Sequence, residues 1–171
     1  MANQKKSRAP SKKKPAAPKK LTVGRLEPQH RFFLNPYDDL RFSKCPKCLE
    51  KTRIRKFPFG IHLDPNVLMT FNLSGPYCPS CDLIIMHQDK VESLLTMAVM
   101  ERDPSIVGND YLILGTLERG YWRKASQQGG TAQGFFDNLH DFEEVLLFEP
   151  MYPVWLPDNK ETDKTKPQSK K

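Results

Sequence analysis

The sequence predicts an α+β domain: a small antiparallel sheet built around two pairs of cysteines, one main helix, and a β-hairpin after that helix. Three observations support this fold class. Short period-two runs surround the cysteine pairs, an apolar stripe at helical spacing follows them, and both chain ends are rich in Lys and Pro. The predicted single domain covers residues 32–157 of the 171-residue chain, which is long enough for one hydrophobic core.

The composition of both chain ends predicts disordered tails, over residues 1–31 and 158–171. Residues 1–20 contain eight Lys or Arg and no acidic residue, and they have no large apolar side chain after Met1. Such a segment cannot bury enough surface to offset the entropy that it loses on ordering. The Lys-rich start is unlike a secretory signal, and no apolar run reaches the roughly 18 residues of a membrane span. We therefore expect a cytoplasmic protein, or a nuclear one in a nucleated cell.

Four short strands are predicted between the cysteine pairs and directly after them. Residues 52–58 alternate with a period of two and would form a strand with a basic outer edge. Residues 61–65 and 68–75 predict two more strands, each ended by a turn signal that contains Pro. Residues 83–86 are apolar and predict the fourth strand.

The main helix is predicted over residues 89–102. Asp89 is the expected N-cap, because Glu92 three residues later completes a capping-box pattern. The chain should leave the helix before Pro104. The apolar stripe consists of Val91, Leu94, Leu95, Ala98 and Val99.

The last third of the domain predicts a hairpin and shorter pieces. Residues 111–124 are expected to form the hairpin, with Gly120 in its turn. Residues 135–142 predict a short helix, and residues 144–150 a final strand. Residues 150–157, PMYPVWLP, are apolar with three prolines, and we expect an extended strap that packs back over the core.

Two cysteine pairs of the form C-x2-C, Cys45 with Cys48 and Cys78 with Cys81, are separated by 29 residues. Each pair can direct two thiolates at one ion from a tight turn, and the strands between the pairs can bring them together. Two such pairs in an intracellular chain favour one structural zinc ion over disulfides. Rubredoxin-like iron and a redox role are the alternatives.

Residues 42–87, with these cysteines, Pro46, Pro79 and the predicted strands, resemble the four-cysteine zinc-ribbon class. The resemblance implies a fold and a metal, and it implies no activity, because ribbons occur in proteins of many functions. Ribbon turns often have Gly after the second cysteine, where the chain is left-handed. This chain has Leu49 and Asp82 at those positions.

The charge is distributed unevenly. Residues 41–56 contain seven basic residues and one acidic residue, whereas residues 57–156 contain five basic and 13 acidic residues. The basic stretch has two interpretations: it offsets the −2 charge of a zinc tetrathiolate, or it binds phosphates. The candidate nucleic-acid-binding residues are Lys44, Lys47, Lys51, Arg53, Arg55 and Lys56.

The favoured function is therefore binding of nucleic acid or a ribonucleoprotein through the N-terminal tail and this basic stretch. Phe57 and Phe59 are the expected stacking platforms for bases. The alternative is a protein-interaction or scaffold module that uses the acidic body, the hairpin at 111–124 and the C-terminal strap.

An enzymatic function is the least favoured interpretation. The sequence contains no nucleophile elbow, phosphate loop, dinucleotide fingerprint or paired-His metal helix. The sequence HDFEE, residues 140–144, is the one candidate for a second metal or for acid–base chemistry.

Overall fold

A curled, mixed sheet of seven strands makes up most of the protein. The computed structural model describes residues 22–149. A short 3-10 helix, Pro104–Ile106, lies between the longest helix, α1 (Gln88–Met100), and the strand β5 (Tyr111–Leu117). The strands and helices, in chain order, are β1 (Arg31–Asn35), β2 (Arg53–Leu63), β3 (Val67–Cys78), β4 (Leu83–His87), α1 (Gln88–Met100), β5 (Tyr111–Leu117), α2 (Arg119–Gln128), α3 (Ala132–Asp137), β6 (Leu139–Asp141) and β7 (Glu144–Leu146).

The predicted fold class is wrong. The strand order is β6-β5-β2-β3-β4-β1-β7, and β1 runs parallel to both of its neighbours, β4 and β7. The result is a half-barrel with few helices rather than a small antiparallel sheet with one main helix. The sequence pattern did not indicate β1 as a strand, and periodicity alone does not show that a strand pairs with partners far along the chain.

The two ends of the sheet approach each other because β6 and β7 are separated by only two residues. The chain before β1 follows β6: Leu26 forms a parallel bridge with His140, and the Gln29 N–H donates to the Asp141 carbonyl at 2.8 Å. The Glu143 N–H donates to the His30 carbonyl at 2.9 Å. This line of hydrogen bonds curls the sheet.

The β2–β3 hairpin is longer than the sequence predicted. Its register runs without a break from Arg53 opposite Tyr77 to Leu63 opposite Val67. The expected interruption at Gly75 does not occur. A Cβ at Gly75 would lie 2.4 Å from the Ile85 carbonyl oxygen, so glycine is needed there for the close approach of β4.

The helix α1 agrees with the predicted stripe and disagrees with the predicted cap. Val91, Leu95 and Val99 are buried on one face, as expected. The N-cap is His87 and makes no side-chain capping hydrogen bond, whereas Asp89 lies inside the first turn. The apolar strand β4 continues directly into α1, so the boundary shifts towards the N-terminus.

The predicted hairpin over residues 111–124 is wrong. β5 forms its first half, but the second half is α2, and Gly120 lies in the first helical turn. Tyr121 packs against the buried cluster of Leu117, Phe135 and Leu139. Ala125, four residues after Tyr121, is half-buried as well. This spacing places both side chains on one face of a helix, whereas a strand places residues i and i+2 on one face.

Residues 135–142 also differ from the prediction of one short helix. The helix α3 ends at Asp137, and Leu139–Asp141 form β6. Thr131 caps α3 by accepting a hydrogen bond from the Gly134 N–H at 3.0 Å.

Both faces of β1 and β4 are buried. Phe32, Ile84 and Met86 belong to the larger core cluster, which α1 covers. Phe33 and Leu83 belong to a second cluster that contains cysteines. Burial on both faces gives these two parallel strands continuous apolar sequences rather than alternating ones.

The structure leaves several predictions untested. Residues 1–20, 150–157 and 158–171 lie outside the described residues, so the tails, the strap and the domain boundaries stay predictions. Within residues 22–149, no helix is long and apolar enough to cross a membrane.

Candidate metal centre

Three neighbouring strands bring the four cysteines together. Cys45 and Cys48 lie in the turn that leads into β2, Cys78 is the last residue of β3, and Cys81 lies in the turn before β4. β2 pairs with β3 from its first residue, Arg53. The two C-x2-C turns therefore meet at one end of the sheet.

The cysteine sulfurs form a compact cluster. All four sulfur atoms lie within 4.8 Å of one another, and the Cys48 and Cys78 sulfurs are 3.5 Å apart. None of the four is in a disulfide. Sulfurs that coordinate one zinc ion tetrahedrally at about 2.3 Å would be about 3.8 Å apart, so the cluster is compatible with a zinc site.

Backbone geometry supports the first turn. The Leu49 N–H donates to the Cys45 carbonyl, and the Cys45 N–H donates to the Glu50 carbonyl, both at 2.8 Å. The Lys47 N–H points to the Cys45 sulfur at 3.4 Å. N–H groups aimed at sulfur are typical of surroundings that favour thiolates.

The chain is left-handed after each cysteine pair, as the ribbon resemblance implied. Leu49 has φ 63° and Asp82 has φ 51°. A residue with a Cβ pays roughly 1–2 kcal/mol for this conformation, although Asp tolerates it better than Leu. The Leu49 side chain is exposed, so packing does not offset its cost.

The thiols differ in their hydrogen bonds and in burial, and therefore in acidity. The backbone N–H of Glu50 lowers the pKa of the exposed Cys48. Burial raises the pKa of Cys78. The hydrogen bond to Cys48, together with burial, raises the pKa of Cys81 to about 12. Because the thiols are crowded, they resist being ionised at the same time. A bound cation would instead favour their thiolate forms.

Apolar side chains surround the centre on its inner side. Cys45 and Cys78 are fully buried, and they pack with Phe33, Leu83 and Ile85. Cys45 and Cys78 are thus part of the second core cluster, so any ion held there would take part in packing.

The six candidate nucleic-acid-binding residues are all exposed. Lys44 and Lys51 face each other in an antiparallel bridge at the base of the first turn. Lys47 lies 4.0 Å from Glu144. The Arg55 guanidinium lies over the ring of Tyr77, 4.8 Å from its centroid.

The predicted stacking platforms are wrong. Phe59 is fully buried and Phe57 is 5 % exposed, and both belong to the larger core cluster. The period-two pattern showed which residues share a face, but not that this face is covered. These rings cannot stack on a base.

A hydrogen-bonded group next to the second cysteine pair was not predicted. The Asp82 carboxylate accepts from the Tyr77 hydroxyl and pairs with His30 Nδ1, both at 2.7 Å. Burial alone would raise the pKa of Asp82, but these partners outweigh it and lower that pKa. The left-handed position of Asp82 was the one sequence signal for a special role.

The residues around His140 serve the fold. His140 Nδ1 donates to the Glu27 carbonyl at 2.7 Å, and its Nε2 lies 3.3 Å from Glu118. The Asp141 carboxylate accepts from the backbone N–H groups of Val23 and Gly24. Among residues 22–149, the four cysteines are the only group placed to share a metal ion, so HDFEE forms no second centre.

No protein-family model matches the chain, and neither a curated protein nor a solved structure matches it at a significant level.

Proposed function

We propose that Cys45, Cys48, Cys78 and Cys81 hold one structural zinc ion in a ribbon-like pair of turns. The closeness of the four sulfurs and the left-handed residue after each pair support this proposal. Four thiolates would fill a tetrahedral site and leave no position for water or substrate. A reducing compartment such as the cytoplasm would keep the cysteines free for the metal.

We further propose that the basic stretch binds the phosphates of nucleic acid or a ribonucleoprotein. The observation that carries this proposal is an open, basic strand edge. Among residues 22–149, β5 pairs with β2 only from Phe59 onwards, so residues 53–58 have no strand partner on that edge, where the Arg119 side chain donates to the Lys56 carbonyl at 3.0 Å. The side chains of Arg53 and Lys56 in this segment are both exposed, on opposite faces of the strand.

Several of these cations are available to a partner. Within the described residues, the side chains of Lys44, Lys51, Arg53 and Lys56 form no ion pair. Cations that only balanced the metal centre would not need to continue along the strand as far as Lys56. Together with the basic residues of the tail they would displace counterions from phosphates, which gives affinity without sequence specificity.

The test is a salt titration of the zinc-loaded full chain with short RNA and DNA. Arg53→Gln with Lys56→Gln should weaken binding and reduce the salt slope by about 0.9 for each phosphate that the protein no longer neutralises. The matched control is Lys90→Gln with Arg102→Gln, which removes the same charge from exposed residues in and just after α1.

A chain that lacks residues 1–20 separates the tail from the strand edge. If both elements bind, removing either one should lower the slope, and removing both should lower it further. Equal affinity of the native chain, the strand variant and the control would contradict the strand edge as a phosphate site. Binding that is lost on removal of residues 1–20 but not in the strand variant would also contradict the strand edge as a phosphate site.

A further inference from the structure

A large apolar groove lies at the end of the sheet away from the cysteines. It has a volume of about 800 Å³ and lies between α1, the 3-10 helix, β5 and the strands β1 and β7. Its floor is formed by core residues such as Phe32, Leu95 and Val99. Its polar residues lie at the rim, among them Glu92 and Asp110.

The rim of the groove exposes large apolar side chains. Leu112 is 60 % exposed, Val145 is 62 % exposed and Leu147 is 89 % exposed. Single exposed apolar residues are ordinary, but three around one apolar groove are the kind of cluster that marks an interaction site. The groove is therefore a candidate docking site.

The chain itself leads to the groove. Along the last described residues, Val145 and Leu147 line the groove, whereas Leu146 and Phe148 pack on the cysteine-containing cluster. The next eight residues, 150–157, read PMYPVWLP, and only beyond them does the sequence become strongly charged. An apolar segment thus begins three residues after the groove rim.

We propose that residues 150–157 dock in this groove of the same molecule. The short connection gives the segment an effective concentration of the order of millimolar, well above that of any separate partner of similar sequence. Eight extended residues span roughly 25 Å, which is enough to cross the groove. The three prolines restrict the free segment and so lower the entropy lost on docking.

The rim also provides polar partners. The indole N–H of Trp155 needs an acceptor when the ring is buried. The carboxylates of Glu92 and Asp110 lie at the rim, and Glu92 already accepts from the Tyr111 hydroxyl at 3.3 Å. This proposal does not depend on the metal or on nucleic-acid binding.

The chain contains two tryptophans, which gives a direct test. In full-length Trp122→Phe, the emission reports on Trp155 alone. We expect short-wavelength emission and weak quenching by iodide, both unchanged on dilution. Adding Leu112→Arg at the rim should move the emission to longer wavelength and increase quenching severalfold.

The matched control is Met97→Arg on α1, which places the same charge at an exposed apolar residue outside the groove. This control should leave the emission of Trp155 unchanged. Emission typical of a solvent-exposed indole in Trp122→Phe would overturn the proposal, and so would an equal response to both arginines. A spectrum that changes with protein concentration would assign the groove to a second copy and overturn it too.

Discussion

The two ends of β4 hold their buried polar groups in different ways. At the first end, Cys78 and Cys81 belong to a cluster whose sulfurs lie within 4.8 Å of one another. At the other end, His87 is 4 % exposed, and the Asn35 amide nitrogen and the Arg41 guanidinium both lie 2.9 Å from its Nδ1. The His87 end is held by hydrogen bonds within the protein, whereas the cysteine end gathers four free thiols that could hold a metal ion.

This difference shows that one sheet can accommodate buried polar groups in two ways, by hydrogen bonds at one end and by a cluster of thiols at the other. Hydrogen bonds from backbone and side chains satisfy the Asn35–His87 pair at no further cost. If the four cysteines hold the proposed zinc ion, the stability of that end should follow metal supply. Three predictions test this comparison.

The largest effect is expected at the cysteine end. Cys78→Ser removes a fully buried ligand, and the loss of metal binding should cost on the order of 5 kcal/mol or more of unfolding free energy. Metal analysis and chemical denaturation measure the two effects. Leu95→Ala is the control: it should cost about 2–5 kcal/mol by leaving a cavity in the larger core. Retention of the metal in Cys78→Ser would contradict the proposed ligand set.

A moderate effect is expected at the other end, as a dependence on pH. Burial, with the charges of Arg41 and Lys90, lowers the pKa of His87, against the opposing charges of Asp89 and Asp38. The unfolded chain therefore binds a proton first. The stabilisation is full above about pH 6.5 and declines as the pH falls towards the lowered pKa, by up to about 1.4 kcal/mol per unit.

His87→Gln should reduce this acid sensitivity, measured as unfolding free energy between pH 7 and 5. His62→Gln, on β2, is the matched control and should keep the sensitivity of the native protein. Acid release of a metal would affect all three proteins alike, so the comparison isolates His87. Identical pH profiles for the two variants would refute the prediction.

The smallest effect is expected at the left-handed positions. Leu49→Gly should raise the unfolding free energy by about 1 kcal/mol, because glycine adopts φ 63° without a Cβ clash. Asp82→Gly should instead lower it, since that change also removes the partners of Tyr77 and His30. Thermal unfolding of the metal-loaded proteins distinguishes the two signs.

The sequence predicted the parts of the molecule that depend on local spacing. The cysteine spacing indicated a shared site, and the typical place of glycine in ribbon turns indicated left-handed residues at Leu49 and Asp82. The stripe from Val91 to Val99 indicated the buried face of α1. The left-handed residues and the helix face each lie within a few residues of their signal, and the shared site was indicated by two local pairs of cysteines.

The sequence failed where distant segments decide the structure. β1 is five residues long and has partners on β4 and β7 that no local pattern identifies. α2 has no buried residue, and the sequence around Gly120 resembles the turn of a β-hairpin. Phe59 is covered by Phe32 and Phe142, and Phe57 packs against His30 and Tyr77, all of which come from other parts of the fold.

The pairing of the chain around β1 also has a consequence for synthesis on the ribosome. Arg31 hydrogen-bonds Glu144, 113 residues later, and the segment before β1 pairs with β6. An emerging chain can close the cysteine turns and the β2–β3 hairpin early, because those contacts are local. It must then hold β1 with one edge open until residue 146 leaves the exit tunnel, so the sheet closes only after β7 has been made.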